Sequence, residues 1–195
     1  AEKLNAKVIF YGFSDQADVW AGSISMSRDQ IGEVQGLSFK LHLGGSTTPL
    51  LLPMVFGQHQ INVALAAAAV GVGLGVISVD VSKVLKTLAF PPGRMKLIKG
   101  VKNSWLIDDT YNSSPLAASE ALRSLAAWPV ALGARRWVVL GDMLELGNES
   151  ESLHRQLGSS VVDLSIDYLV TVGERSRDIG RGAGAAGFVV DKYNH

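Results

Sequence analysis

Residues 37–43, LSFKLHL, alternate apolar and polar positions, which is the period of a strand with one buried face. Gly44-Gly45-Ser46 follows as a turn, and Leu50–Phe56 supplies an apolar returning run, so the pattern predicts an antiparallel hairpin. Lys7–Tyr11 is another apolar run, ahead of Gly12, and residues 1–56 as a whole read as β. The period then changes. Ile61, Leu65, Ala68 and Val72 recur on one helical face, and Gly73 and Gly75 end that helix, because glycine readily takes the left-handed cap conformation. Val81, Val84, Leu85 and Leu88 mark a second helix, which Pro91-Pro92-Gly93 stops. A domain boundary is expected there, separating residues 1–90 from 91–195.

Past that boundary, Met95–Lys99 and Ser104–Ile107 read as short strands. Pro115 opens a helix with Leu122 and Leu125 turned inward and Ser114 as its cap. Trp137–Leu140, WVVL, is continuously apolar, as in a parallel sheet covered on both faces. Asn148 with Glu151 resembles a capping box ahead of a helix through Leu153, Leu157, Val161 and Leu164. Tyr168–Val172 is the next strand, Ser176–Gly180 begins a short helix, and Phe188–Val190 is a further strand. This alternation implies an α/β domain with a parallel sheet.

Composition narrows the picture. The chain has 195 residues and is 47% hydrophobic, enough for one full domain or parts of two. Its 18 basic and 18 acidic residues cancel, which argues against a nucleic-acid scaffold. There is no cysteine, so disulfides and thiolate metal sites are excluded, and a reducing, cytoplasmic location is expected. AEKLNAKVIF at the N-terminus lacks the apolar core of a signal peptide. Val63–Val79 carries no charge, but it is rich in alanine and broken by Gly71, Gly73 and Gly75. It reads as a buried helix and a loop rather than the ~20 apolar residues of a membrane span. The first residue is Ala and the chain stops at DKYNH, so it is expected to be incomplete at both ends.

Chemistry concentrates in a few places. LIDDTYNSSP (106–115) sets two carboxylates, Asp108 and Asp109, side by side after a strand. On an extended chain they point opposite ways, so at most one faces a given ligand. GDMLELG (141–147) follows the WVVL strand, and ligands of parallel sheets sit beyond the carboxyl ends of strands. Asp142 and Glu145 stand there, although the same residues suit a plain turn leading to an acidic helix start. Arg94 offers a guanidinium for a phosphate- or ribose-bearing ligand, or for a surface ion pair. His59, just before a helix, offers an imidazole to a ligand or to the helix end. Gly182-x-Gly184-x-x-Gly187 has the letters of the dinucleotide fingerprint, but it follows a helical segment and precedes a strand. That is the reverse of the required context, so a flexible loop is expected. No Gly-Lys pair occurs, so the phosphate-binding P-loop G-x-x-x-x-G-K-S/T is absent from this chain.

Five stretches, taken together and in order, resemble the Mur ligases of peptidoglycan synthesis. They are GQHQINVALAAAAV (57–70), PPGRMKLIKG (91–100), LIDDTYNSSP (106–115), VVLGDMLELGNESESLHRQLG (138–158) and YLVTVGERS (168–176). DDTYN followed by GDMLELG is similar to the branch that adds D-alanyl-D-alanine to a UDP-N-acetylmuramoyl tripeptide; the resemblance is weakest over residues 1–50. It implies a three-domain enzyme in which residues 1–90 are the latter part of a P-loop-type central ATP-binding domain. Residues 91–195 would be most of a Rossmann-like C-terminal domain acting as a lid. The implied reaction uses ATP and Mg²⁺ to form an acyl phosphate, which the amine then attacks. By matching positions, the resemblance gives Asp109 to the ATP ribose and Asn112 to the phosphates, and these two are the candidate catalytic residues. It gives Arg94 to the nucleotide from the hinge, and His59, Gln60 and Asn62 to the neighbourhood of the adenine. Gln60 and Val63 here replace the two asparagines of the family's G-x-H-N-x-x-N pattern. Asp142, with Glu145 beside it, falls to the amine substrate. No metal ligand is assigned within the chain; the P-loop, the magnesium-binding glutamate and a modified lysine are expected upstream, and the last strands downstream. The isolated chain is therefore expected to be inactive, and the protein a monomer without nucleic-acid partners or a membrane span. Two alternatives stay open: a non-catalytic nucleotide- or partner-binding domain, and a related amide ligase of the folate polyglutamate type.

Overall fold

The computed structural model describes residues 7–189, and the chain packs as two units, Ala1–Asp108 and Asp109–His195. The first is built on a four-stranded sheet in the order β1 (Tyr11–Gly12), β2 (Val19–Arg28), β3 (Val34–Leu43), β4 (Ser46–Pro53). β1 runs parallel to β2, and the other neighbours are antiparallel. Leu43 pairs with Ser46, leaving Gly44 (φ 56°) and Gly45 (φ 76°) as a two-residue loop. Both positions are left-handed, as a hairpin turn matched to the strand twist requires. The alternation that predicted β3 carries across the sheet: Leu37, Phe39, Leu41 and Leu43 are buried beside Val19 and Ala21 of β2 and Leu50 and Leu52 of β4.

α1 (His59–Gly73) packs against β1 and β2, and α2 (Ser78–Leu85) packs against α1 and β4. Ile61, Ala64, Leu65 and Ala68 form the fully buried stripe of α1. Three expectations need adjustment here. Of the Lys7–Tyr11 run only Tyr11 is in a strand. β2 had no clear signal of its own, because VWAGSISMSR carries small and polar residues and its register shifts between Gly22 and Ser25. α2 ends at Leu85, and Val84 points to solvent rather than inward.

β5 (Lys96–Lys99) and β6 (Trp105–Asp108) pair antiparallel. The Phe56 N–H donates to the Met95 carbonyl at 3.0 Å and the Leu97 N–H to the Met54 carbonyl at 2.9 Å. These bonds tie the hairpin to the chain leaving β4, so by packing it lies in the first unit although it follows the Pro91-Pro92-Gly93 stop.

The second unit runs α3 (Pro115–Ala127), β7 (Trp137–Gly141), α4 (Ser150–Asp163), β8 (Tyr168–Val172), α5 (Arg177–Ala185). β7 and β8 are parallel, paired from Trp137–Tyr168 to Gly141–Val172. Its core joins Ala118 and Leu122 of α3, Met143, Leu157 and Val161, Ile166, and Ile179 of α5, with Val138, Leu140 and Leu169 of the strands packed against it. Ser114 is extended (φ −129°, ψ 158°) and its Oγ accepts the Ala117 N–H at 3.3 Å, so α3 starts as its sequence predicts.

Four expectations for this unit differ from the structure. Among the described residues WVVL is covered on one face only: the helices cover that face, while Trp137 stacks on Tyr168 on the other and Val139, Val170 and Val172 are exposed beside them. The capping box is not formed. Gly147–Glu149 is a turn of 3-10 helix, Glu149 already has helical angles (φ −88°, ψ −1°), and no side chain caps α4. The fingerprint-like glycines are not a loop: Gly182 and Gly184 lie within α5. A Cβ on Gly182 would sit 2.1 Å from the Arg155 carbonyl oxygen, and one on Gly158 2.0 Å from that of Ile179. Those two glycines let α4 and α5 touch backbone to backbone. Phe188 and Val189 are not in a strand, and Val190 lies outside the described residues.

Candidate functional site

In the first unit His59, Gln60 and Asn62 share the start of α1. His59 is its first residue and half-buried; Gln60 is buried and its Nε2 lies 3.1 Å from His59 Nε2. The imidazole lies against the Gly57 backbone, where an added Cβ would be 2.6 Å from His59 Cε1 and 3.0 Å from Met95 Cε. Asn62 is half-buried on the same first turn, and Arg94 is exposed just before β5. Asp108, the last residue of β6, turns its carboxylate back to accept the Gly93 N–H at 3.1 Å. The Asp108 carboxylate is thus engaged with backbone.

In the second unit Asp109 is half-buried and Asn112 exposed ahead of α3. The Asn112 Oδ1 accepts the Ser113 N–H at 2.9 Å, a bond local to the chain just ahead of α3. The carboxyl edge of the parallel pair, at Gly141 and Val172, is organised differently. The Asp142 Oδ1 accepts the Ser176 N–H at 2.7 Å and lies over Gly173, where a Cβ would come within 2.2 Å of it. Ser176 is buried and its Oγ donates to the Gly173 carbonyl at 3.1 Å. A carboxylate on an N–H at the start of α5 also suits the positive end of the helix dipole. Glu145, on the same loop, is exposed and holds φ 64°. Asp142 therefore faces the fold and Glu145 faces out.

The sequence reading missed two residues here, Ser176 and His154. His154 is fully buried, and its Nε2 accepts the Met143 N–H at 3.0 Å. Its spacing to Leu157 and Val161 set it on the buried stripe of α4, a signal that was available in the sequence. Nearby on the surface, Asp178 bonds Arg181 at 2.9 Å and pairs with Arg155 at 3.5 Å. The Arg181 hydrogen bond chiefly, with Arg155 adding to it, holds the Asp178 carboxyl below its ordinary value. Among the described residues no three His, Asp or Glu side chains gather as a metal's ligand set, and no helix is long and apolar enough to cross a membrane.

Residues 93–195 match the family model described as Mur ligase, glutamate ligase domain. The chain belongs to the Mur ligase family. A relative in Escherichia coli (strain K12), UDP-N-acetylmuramoyl-tripeptide–D-alanyl-D-alanine ligase, is 35% identical over 157 residues, covering 80% of this chain and 34% of its own length. The crystal structure of MurF from Acinetobacter baumannii superposes with TM-score 0.75 at 29% identity, over 89% of this chain and 35% of that one. MurF ligase from Thermotoga maritima in complex with ADP has the same fold, with TM-score 0.71 at 22% identity over 88% of this chain and 37% of that one. This Mur ligase chain thus spans about one third of the length of the curated relatives it matches. The expected mixed α/β architecture with parallel-sheet elements agrees with these structures.

Proposed function

We propose that this chain is part of a cytoplasmic, ATP-dependent ligase that adds D-alanyl-D-alanine to a UDP-N-acetylmuramoyl tripeptide in peptidoglycan synthesis. The observation that carries the reading is the pair DDTYN and GDMLELG, in order, within a chain 35% identical to a relative bearing that activity in its name. In the proposed reaction the γ-phosphoryl group of ATP passes to the tripeptide's terminal carboxylate, giving ADP and an acyl phosphate. The dipeptide amine attacks the acyl carbon and loses a proton, the C–O bond to phosphate breaks, and inorganic phosphate leaves. Phosphorylation turns a poor leaving oxygen into a good one. Mg²⁺ supplies charge neutralisation at the phosphates, and the described residues form no site for it.

Residues 1–90 and 91–195 are assigned to the end of the central domain and most of the C-terminal domain. His59, Gln60, Asn62 and Arg94 are assigned to the nucleotide, and Asp109 and Asn112 to its ribose and phosphates. The two carboxylates of the 141–147 loop divide the work on the amine side. Asp142 fixes the loop, and Glu145 meets the amine as a hydrogen-bond acceptor.

The test is a phosphate-release assay on the full-length protein with ATP, the UDP-linked tripeptide and D-alanyl-D-alanine. Turnover should require all three, and the 195-residue chain alone should give none. Asp109→Ala and Asn112→Ala should raise the ATP KM or lower kcat. Turnover with glutamate in place of the dipeptide would favour the folate polyglutamate type instead.

A further inference from the structure

The buried imidazole of His154 has no part in the reaction as proposed, yet it is bonded at both nitrogens. A backbone amide can only donate, so the Met143 N–H at 3.0 Å fixes Nε2 as an acceptor with its lone pair free of a proton. The ring proton must then be on Nδ1, which donates to the Ser150 carbonyl at 2.6 Å, within the same helix. The helix thus sets the tautomer, and the tautomer sets where the Met143 amide rests. The Met143 side chain is itself fully buried, and Asp142 is bonded to Ser176. Two consecutive residues are pinned at three points. Immediately afterwards the chain leaves the core: Leu144 is 58% exposed and Glu145 takes φ 64°, a conformation rare for a residue with a side chain. Such a conformation persists where its surroundings impose it.

We infer that His154 is a positioning residue: acting through the Met143 amide, it fixes the loop that aims the Glu145 carboxylate at the amine of the acceptor dipeptide. This rests on the function proposed above for its amine half, while the anchoring of the loop stands on the geometry alone. A histidine that merely filled the core would be replaceable by an apolar ring of similar size without moving the loop.

The experiment compares His154→Phe with His154→Gln in the full-length protein. Phe fills the space and bonds nothing. Gln can present its Oε1 to the Met143 N–H. Two quantities are read: the KM for D-alanyl-D-alanine against that for ATP, and amide hydrogen exchange of residues 142–146. Losing one hydrogen bond corresponds to about a tenfold change, so His154→Phe should raise the dipeptide KM and the exchange rate by roughly that factor, with the ATP KM moved less than about twofold. His154→Gln should recover most of both. Unchanged exchange in His154→Phe would overturn the anchor, and so would a Gln variant that folds but is no better than Phe. Equal shifts in both KM values would overturn the role on the amine side. If the unsubstituted protein shows no dipeptide-dependent turnover, the ligase reading falls and the amine role with it, while exchange still decides the anchor. If the Phe variant does not fold, His154→Asn, too short to reach Met143, takes its place.

Discussion

Residues 112–115 and 141–147 each lie beyond the end of a strand, and each carries candidate site residues, but they are held in different ways. The part of the first segment at the start of α3 is bonded locally: Asn112 to the Ser113 amide and Ser114 to the Ala117 amide. The second is held from afar, with Asp142 bonded to Ser176, 34 residues on, and the Met143 amide bonded to His154, 11 residues on. A locally bonded segment keeps its shape whatever its neighbours do. A loop held from afar inherits the position of the helices that hold it, here α4 and the start of α5.

The strongest way to break this contrast is to move those helices. Gly182→Val places a side chain where the Arg155 carbonyl oxygen already lies 2.1 Å from the Cβ position, and backbone cannot step aside as a flexible side chain would. A loss of about 3 kcal/mol or more is expected, at the upper end of overpacking effects. Urea unfolding of the full-length protein measures it. Amide exchange should rise across residues 142–146, because α4 carries His154 and α5 begins beside Ser176, and should stay unchanged at Ser113–Ala117. Equal loosening of both segments would dissolve the distinction.

A finer test removes one bond from each. Asp142→Ala deletes a charge-assisted hydrogen bond to a part-buried amide and should cost about 2 kcal/mol. Ser114→Ala deletes an N-cap and should cost about 1 kcal/mol. Additivity separates the pair more clearly than size. Asp142→Ala combined with His154→Phe should deviate from the sum by about 0.5 kcal/mol or more, since both hold one loop. Ser114→Ala combined with His154→Phe should add within about 0.5 kcal/mol.

The same contrast explains what could be read from the sequence. The β3–β4 hairpin, α1, the Ser114-Pro115 helix start and the β7 and β8 strands rest on periodicity or on neighbours a few residues apart, and they were legible. The capping box at Asn148 failed because a 3-10 turn made Glu149 helical before any cap was needed, which no local letter pattern announced. Gly182-x-Gly184 misled because glycine serves both loops and close helix contacts, and only the position of α4 distinguishes them. Asp142 was placed at the carboxyl edge correctly by the strand before it, but its partner Ser176 comes from the next strand–helix turn. The role of the carboxylate was therefore invisible until β7 and β8 were paired.

The smallest expected effect lies at the same α4–α5 contact, on its surface. Asp178 bonds Arg181 and pairs with Arg155, which also pairs with Glu151 at 2.6 Å. The Asp178 side chain is half-buried but both arginines are exposed to solvent, which screens the pairs, so Asp178→Asn should cost about 1 kcal/mol, far less than the glycine substitution across the same two helices. The pH dependence identifies the source. The arginines lower the folded-state pKa of Asp178, so its stabilisation is present above the unfolded value of about 3.9 and is lost as pH falls through the folded value. The difference between the unsubstituted protein and Asp178→Asn should accordingly be flat from neutral pH down to about pH 5 and vanish below the folded pKa. It should also shrink in ~1 M salt, where the Debye length is about 3 Å. A difference that grew on acidification, or ignored salt, would show that Asp178 acts through packing, as the glycines beneath it do.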